Sequence, residues 1–280
     1  MTLSAFRRRA WRLSAMLVAS LPMIVASSPS VAQERTDTRG YCAARPGMGT
    51  TPCTIAPGRL SVEIAGVDWE RDRSAGQRTD SLLFGDAALR LGVTDTVEVL
   101  AQATPFGVLH TRDADGNRST GRGSGDVTLG TKVNLKNPDG SGFSLSVLAF
   151  GTLPVGSKTF GAGDWAAGLL VPMSLSATDT ISLQLTPEFD LAADSDGVGR
   201  HPAYNLIAGA GFSVADGVSI THELAVGRDM DPDGESTQAF YSTSLAWMPR
   251  DDLQLDAGTV IGLNDAAPDV RFYVGIARLF

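Results

Sequence analysis

The chain has 280 residues, 43% of them hydrophobic and 19% charged, with a formal net charge of −8 at pH 7. A balance this acidic disfavours nucleic acid as a partner. Beyond the N-terminal segment no run approaches the roughly 18 apolar residues a spanning helix needs. Any membrane crossing therefore requires a closed β-barrel, the other architecture that satisfies every backbone group in lipid.

In chain order, the first element reads as a targeting signal. Arg7, Arg8, Arg9 and Arg12 form a basic region, and Leu13 to Val25 is a short apolar run. Ser30-Val31-Ala32 supplies the small residues that a signal peptidase reads. Residues 1–32 are expected to be a signal peptide cleaved before Gln33, which removes four arginines and no acid and takes the net charge to −12. Residues 33–58 follow as a periplasmic N-terminal segment. They hold the only two cysteines, Cys42 and Cys53, around a turn-rich stretch with Pro46, Gly47, Gly49 and Pro52. No histidine lies nearby to complete a metal site, and Cys42 does not follow the apolar run as a lipid anchor would. In an exported chain the pair is expected to form a disulfide.

From residue 59 to residue 280 alternation of period 2 recurs, with no competing helical period. In Thr96–Thr104, Val97, Val99, Ala101 and Ala103 oppose Glu98, Gln102 and Thr104; Asp126–Leu135 and Thr180–Asp190 repeat the pattern. The pattern predicts twelve strands near 59–70, 81–93, 96–108, 125–136, 143–153, 165–177, 180–191, 202–214, 218–228, 237–248, 253–261 and 269–280. Their connections alternate long and short. Leu109–Ser124, Pro154–Asp164 and Ala192–His201 are among the long ones, and Thr94-Asp95, Thr178-Asp179 and Ala215–Gly217 among the tight ones. Alternation alone also suits a soluble sandwich, but this rhythm is that of an outer-membrane barrel with short periplasmic turns and longer extracellular loops. The expected fold is all-β: a transmembrane antiparallel up-and-down barrel of about twelve strands in the outer membrane of a Gram-negative bacterium. Phe143, Trp165, Phe189, Tyr241 and Trp247 fall at girdle positions on the apolar faces. The last strand alternates through Val270, Phe272, Val274, Ile276 and Arg278 to a terminal Phe280, the kind of signal that barrel-insertion machinery reads, with Arg278 the one departure.

Several strings, in order, resemble an outer-membrane family named for the meta-pathway of phenol degradation. They are Arg90–Val99 around the Thr94-Asp95 turn, Gly123-Ser124-Gly125-Asp126, Leu153-Pro154-Val155-Gly156, Leu253–Gly258, Gly262-Leu263-Asn264 and Phe280. The similarity covers roughly residues 60–280. It implies a barrel that acts as a transporter or channel for small organic compounds. It assigns no functional residue here.

With the apolar faces turned to outer-membrane lipid, the lumen is expected to carry Asp86, Arg90, Glu98, Lys132, Glu188, Asp190, Glu223 and Asp256. Six acids against two bases would favour cations. Arg90 and Glu98 lie on facing strands and are expected to pair. Leu148, Phe150, Leu170 and Phe240 fall on otherwise polar faces, so the lumen is not uniformly wet.

No catalytic, cofactor-binding or metal constellation emerges. His110 and His201 fall in expected extracellular loops, and His222 points opposite to Glu223. No histidine stands at ligand spacing to another or to a cysteine. Ser144 and Ser146 have no local base. Gly121–Asp126 lacks the lysine and following helix of a phosphate loop, and Asp113–Asn117 lacks the distal glutamate of a calcium loop. The leading expectation is a channel barrel for a small, aromatic or hydrophobic solute, with no enzymatic activity. The alternative is a non-conducting structural barrel, with residues before Pro57 plugging the bore from the periplasm; a barrel enzyme ranks last.

Overall fold

A computed structural model of the chain describes residues 39–74 and 76–280; the expected signal peptide lies outside the described residues. Among these, fifteen strand segments form one sheet. They are β1 (Leu60–Ser74), β2 (Gln77–Gly92), β3 (Val97–Ala103), β4 (Phe106–Arg112), β5 (Arg118–Gly123), β6 (Val127–Lys136), β7 (Phe143–Leu153), β8 (Ala166–Leu170), β9 (Met173–Ser176), β10 (Ile181–Ala193), β11 (Arg200–Ala215), β12 (Val218–Asp229), β13 (Ser236–Arg250), β14 (Leu253–Gly262) and β15 (Val270–Leu279). Every pairing between them is antiparallel, each spanning strand beside its sequence neighbours, and β1 closes the ring against β15. Three spanning strands are interrupted. β3 and β4 follow one another along β2, β5 and β6 along β4 and β3, and β8 and β9 between β7 and β10. Counted as spans they make a closed barrel of twelve. Two of the breaks contain proline, Pro105 and Pro172, which has no N–H to give to a ladder.

The barrel is inverted relative to a soluble protein. Its largest fully buried side chains include Arg90, Lys132, Glu63, Glu98 and Glu223. Leu89, Leu129, Leu169, Leu206, Leu224, Val226, Val274 and Ile276 are exposed. A sandwich buries its apolar faces between two sheets; here they form a continuous outer belt that only lipid can cover. Phe143, Trp165, Phe189 and Trp247 stand exposed on that outer surface. Tyr241 is half-buried there and stacks on His222, whose Nδ1 lies 2.8 Å from its hydroxyl.

The strands outrun their sequence estimates at the loop end. β1 and β2 continue as a hairpin to residues 74 and 77, beyond the expected loop start at Arg71, and β4 from Leu109 onward forms a second hairpin with β5 in what read as one long loop. His110 and His201, expected in loops, are strand residues of β4 and β11. These extensions stand above the apolar belt, where both faces meet water or neighbouring loops, so their sequence carries no apolar alternation to announce them. The Asp113–Asn117 stretch is an ordinary turn, its Asn117 N–H and side-chain amide both donating to the Asp113 carboxylate at 2.8 and 2.9 Å.

Candidate functional site: a plugged lumen

Residues 39–56 run inside the barrel, at the end bearing the tight turns. The Cys42–Cys53 disulfide joins the two limbs of this segment. Tyr41 and Ile55 pack with Ala277 of β15 in a small buried apolar cluster, and Tyr41 hydrogen-bonds Ser61 at 2.7 Å. Otherwise the segment has no regular structure, so its backbone groups need partners from the wall.

Three glutamates of the wall supply them. Glu63 on β1 accepts the backbone N–H groups of Ala44 and Arg45, each at 3.0 Å. Glu223 on β12 accepts those of Met48 at 2.7 Å and Gly49 at 2.9 Å. Glu98 on β3 accepts that of Ile55 at 2.8 Å. The carbonyls are served in return: Asn134 donates to Pro52 O at 2.9 Å, Lys132 to Cys53 O at 3.3 Å, Arg90 to Cys42 O at 2.8 Å and Gln254 to Arg45 O at 2.7 Å. Gly47 and Gly49 lie so close to Glu223 that an added Cβ would sit 3.0 and 3.1 Å from its carboxylate oxygen. Gly47 also has φ +117°, a conformation glycine adopts freely.

Ion pairs lock the same layer. Arg90, 2% exposed, forms a two-point contact with Glu98, Nε–Oε1 2.9 Å and Nη2–Oε2 3.0 Å, and reaches Glu63 at 2.9 Å. The register sets Gly92 opposite Glu98 and Arg90 opposite Leu100, so the expected pair forms diagonally across the hairpin. Lys132 joins Glu98 at 3.0 Å, and Arg45 of the plug meets Asp256 of β14 at 2.9 Å. Each charge is removed from water and matched, the condition under which buried ions are tolerated.

Above the plug lie two adjoining cavities of about 260 and 240 Å³ that share Ala44, Thr50, Ala88 and Gln102. The larger is bounded by Leu100, Leu148, Phe150 and Leu170, with Arg90, Lys132 and Glu188 among its polar lining. The smaller is bounded by Arg45, Asp86, Arg271 and Tyr273. Asp86 accepts from Thr104 at 2.8 Å. Glu188 and Asp190 are half-buried on the same face of β10, and Gly168 stands where any side chain would collide with Asp190.

At the loop end the segment 154–164 covers the inner side of β4 and β5. Phe84 and Phe106 mark the outer side. Gly107, Gly121 and Gly123 face the other way, and a Cβ on them would strike Phe160, Thr159 and Ser157. Asp126 holds this inward loop by accepting the N–H groups of Gly156 at 2.7 Å and Ala162 at 2.8 Å. The Gly123–Asp126 string thus seats this loop against the inner side of the barrel.

The eight residues expected in the lumen fall into separate groups. Arg90, Glu98, Lys132, Glu223 and Asp256 fasten the plug, Asp86 and Glu188 line the cavities, and Asp190 sits half-buried against Gly168. Sequence reasoning missed Glu63, although Ser61 and Glu63 opposite Val62 and Ile64 carry the same period-2 signal. It also missed Asp68, because a bulge at Gly66 reverses the inward parity of β1, and its partner Arg271, 2.8 Å away, which the alternation of Val270 and Phe272 already turned inward.

An inverted barrel with a polar, plugged lumen defines an integral outer-membrane protein of the channel-barrel fold. The chain belongs to the family described as "Putative MetA-pathway of phenol degradation", whose model matches residues 43–279. The match begins inside the plug, earlier than the sequence resemblance. Among solved structures, the COG4313 outer membrane channel from Pseudomonas putida F1 aligns with a TM-score of 0.66 at 16% identity, covering 84% of this chain and 100% of that one. The NanC porin aligns with a TM-score of 0.49 at 10% identity, covering 78% and 98%. No curated protein matches the chain.

Proposed function

We propose that the protein is an outer-membrane channel for small, largely apolar or aromatic organic compounds, closed at its periplasmic end by residues 39–56. The observation that carries this reading is the cavity above the plug. Four apolar side chains, Leu100, Leu148, Phe150 and Leu170, turn inward to line a space of about 260 Å³ in an otherwise polar lumen. That volume approaches the lower end of ordinary ligand pockets, about 300 Å³, and apolar walls with a few polar groups are their usual make-up. A filled bore would gain nothing from leaving this space open. Glu188 faces it and Asp86 faces the adjoining smaller cavity, two carboxylates whose charge favours passage of cations over small anions. The Ser30-Val31-Ala32 cleavage fits delivery through the secretory route, and the inserted barrel resides among outer-membrane lipids.

Planar-bilayer conductance and solute uptake into proteoliposomes, with and without residues 33–57, test the proposal. The intact mature chain should be mostly closed and the truncated one open, with cation preference and faster entry of aromatic than of sugar solutes. Closed behaviour in both forms would favour the second reading, a structural barrel, for which the dense buried ion network is the supporting observation. An anion-selective open form would overturn the selectivity argument.

A further inference from the structure

We propose that His201, Asp229 and Asp231 form a binding site for a divalent transition-metal ion of the zinc class at the extracellular rim. His201 is the second residue of β11, Asp229 the last of β12, and Asp231 lies in the loop that follows. One donor atom from each lies within 4.8 Å of the other two.

The imidazole carries the argument. His201 is 4% exposed, and its Nδ1 hydrogen-bonds the Asp194 carboxylate at 2.8 Å. With Nδ1 donating, as a carboxylate behind a ligating histidine arranges it, the lone pair of Nε2 faces Asp229, while Oδ2 of Asp231 approaches the ring from the other side, 3.9 Å from Nδ1. Nε2 is buried and makes no hydrogen bond, yet it stands 2.8 Å from Oδ1 of Asp229. A lone pair and a carboxylate oxygen at that separation repel unless a positive charge lies between them. A proton or a metal ion can supply that charge among the three carboxylates, and metal titration separates the two. A metal ion removes the repulsion: ligands about 2.0–2.2 Å from zinc, at angles of 90° or a little more, stand about 3 Å apart.

The carboxylates are held for the purpose. Oδ1 of Asp229 accepts the N–H of Asp231 at 2.9 Å, and Oδ2 of Asp231 accepts that of Ser195 at 2.8 Å. Each such oxygen keeps a further lone pair. One imidazole with two carboxylates suits zinc or a neighbouring transition ion, whereas calcium seeks six to eight oxygens. Bound there, the ion would tie the loop after β10, which carries Asp194 and Ser195, to the loop after β12. The adjacent Arg200 pairs with Asp164 at 2.7 Å and donates to Trp165 O at 2.9 Å. Three extracellular loops thus meet at this corner of the mouth.

The test uses the full mature barrel, folded in detergent, stripped with chelator and titrated with Zn²⁺ by calorimetry, with Co²⁺ absorption reporting the ligand field. One Zn²⁺ per chain should bind, and His201→Gln should weaken binding more than tenfold. Asp194→Asn, acting through the imidazole, should weaken it by about 10–100-fold. A joint His110→Gln and His222→Gln variant should bind as the parent does. Asp229→Asn and Asp231→Asn, at partly solvated positions, give the same reading if His201→Gln does not fold. No Zn²⁺ binding by the parent, equal binding by His201→Gln and Asp231→Asn, or tighter binding of Ca²⁺ than of Zn²⁺ would overturn the proposal.

Discussion

Replacing Glu223 with glutamine tests the idea that wall carboxylates seat the plug. Four donors converge on this side chain: the N–H groups of Met48 and Gly49, Gln184 Nε2 at 3.0 Å and Ser242 Oγ at 2.8 Å. It is 2% exposed, so water does not replace them. The carboxamide offers one acceptor oxygen in place of two and turns an NH₂ toward donors. Charge-assisted hydrogen bonds contribute about 1.5–3 kcal/mol each and neutral ones about 0.5–1.5. Losing one bond to the plug and weakening the other therefore costs the seated state about 3 kcal/mol, or roughly two orders of magnitude in the ratio of displaced to seated plug. In planar bilayers the Glu223→Gln channel should open about a hundredfold more often than the parent at the same voltage, with the open-state conductance of the 33–57 deletion. The reasoning is refuted if the deletion is open while Glu223→Gln gates like the parent.

Further outcomes follow from the same contacts. Reducing the Cys42–Cys53 bridge, or replacing both cysteines with serine, should raise open probability while leaving the heat-modifiable gel shift of the folded barrel intact, since closing a loop this short contributes about 2–3 kcal/mol to ordering the segment. Arg90→Ala leaves Glu63 and Glu98 buried without their shared cation, a loss of about 3–5 kcal/mol; the barrel band should convert to the unfolded form at a visibly lower temperature, whereas Arg73→Ala at the exposed rim should not shift it. Asp126→Ala removes the acceptor for Gly156 and Ala162 and should release the inward loop, seen as faster external proteolysis near Lys158 and a larger conductance of the plug-deleted channel.

Much of the barrel was legible because lipid and lumen impose opposite demands on alternate residues. Val97, Val99 and Ala101 against Glu98 and Gln102 can be sorted by period alone, and the tight Thr94-Asp95 turn fixes the hairpin that brings Arg90 near Glu98. Legibility fails where that two-sided demand lapses. Above the apolar belt β5 and the part of β4 after Val108 read as a loop, and at Gly66 one extra residue turns Asp68 inward against the count. The plug was harder still. Its partners are distant in sequence, Ala44 with Glu63 but Met48 with Glu223 and Arg45 with Asp256, and its backbone has no period to betray them. His201 read as an isolated loop histidine because its neighbours Asp194, Asp229 and Asp231 come from two separate connections, brought together only by the pairing of β11 with β10 and β12.

The ring is joined where β1 meets β15, and the plug touches both banks of that joint. It grips Glu63 and Glu98 on one side and Asp256, Tyr273 and Glu223 on the other. No turn links the first and last strands, so their ladder from Ser61–Leu279 to Arg71–Val270 holds the seam. Here the stopper is also a brace across the seam, so its complete withdrawal would leave the wall standing on the β1–β15 ladder alone. Passage is then best served by a partial swing that frees Met48 and Gly49 from β12 while the limb nearest Pro57 keeps its hold on β1 and β3.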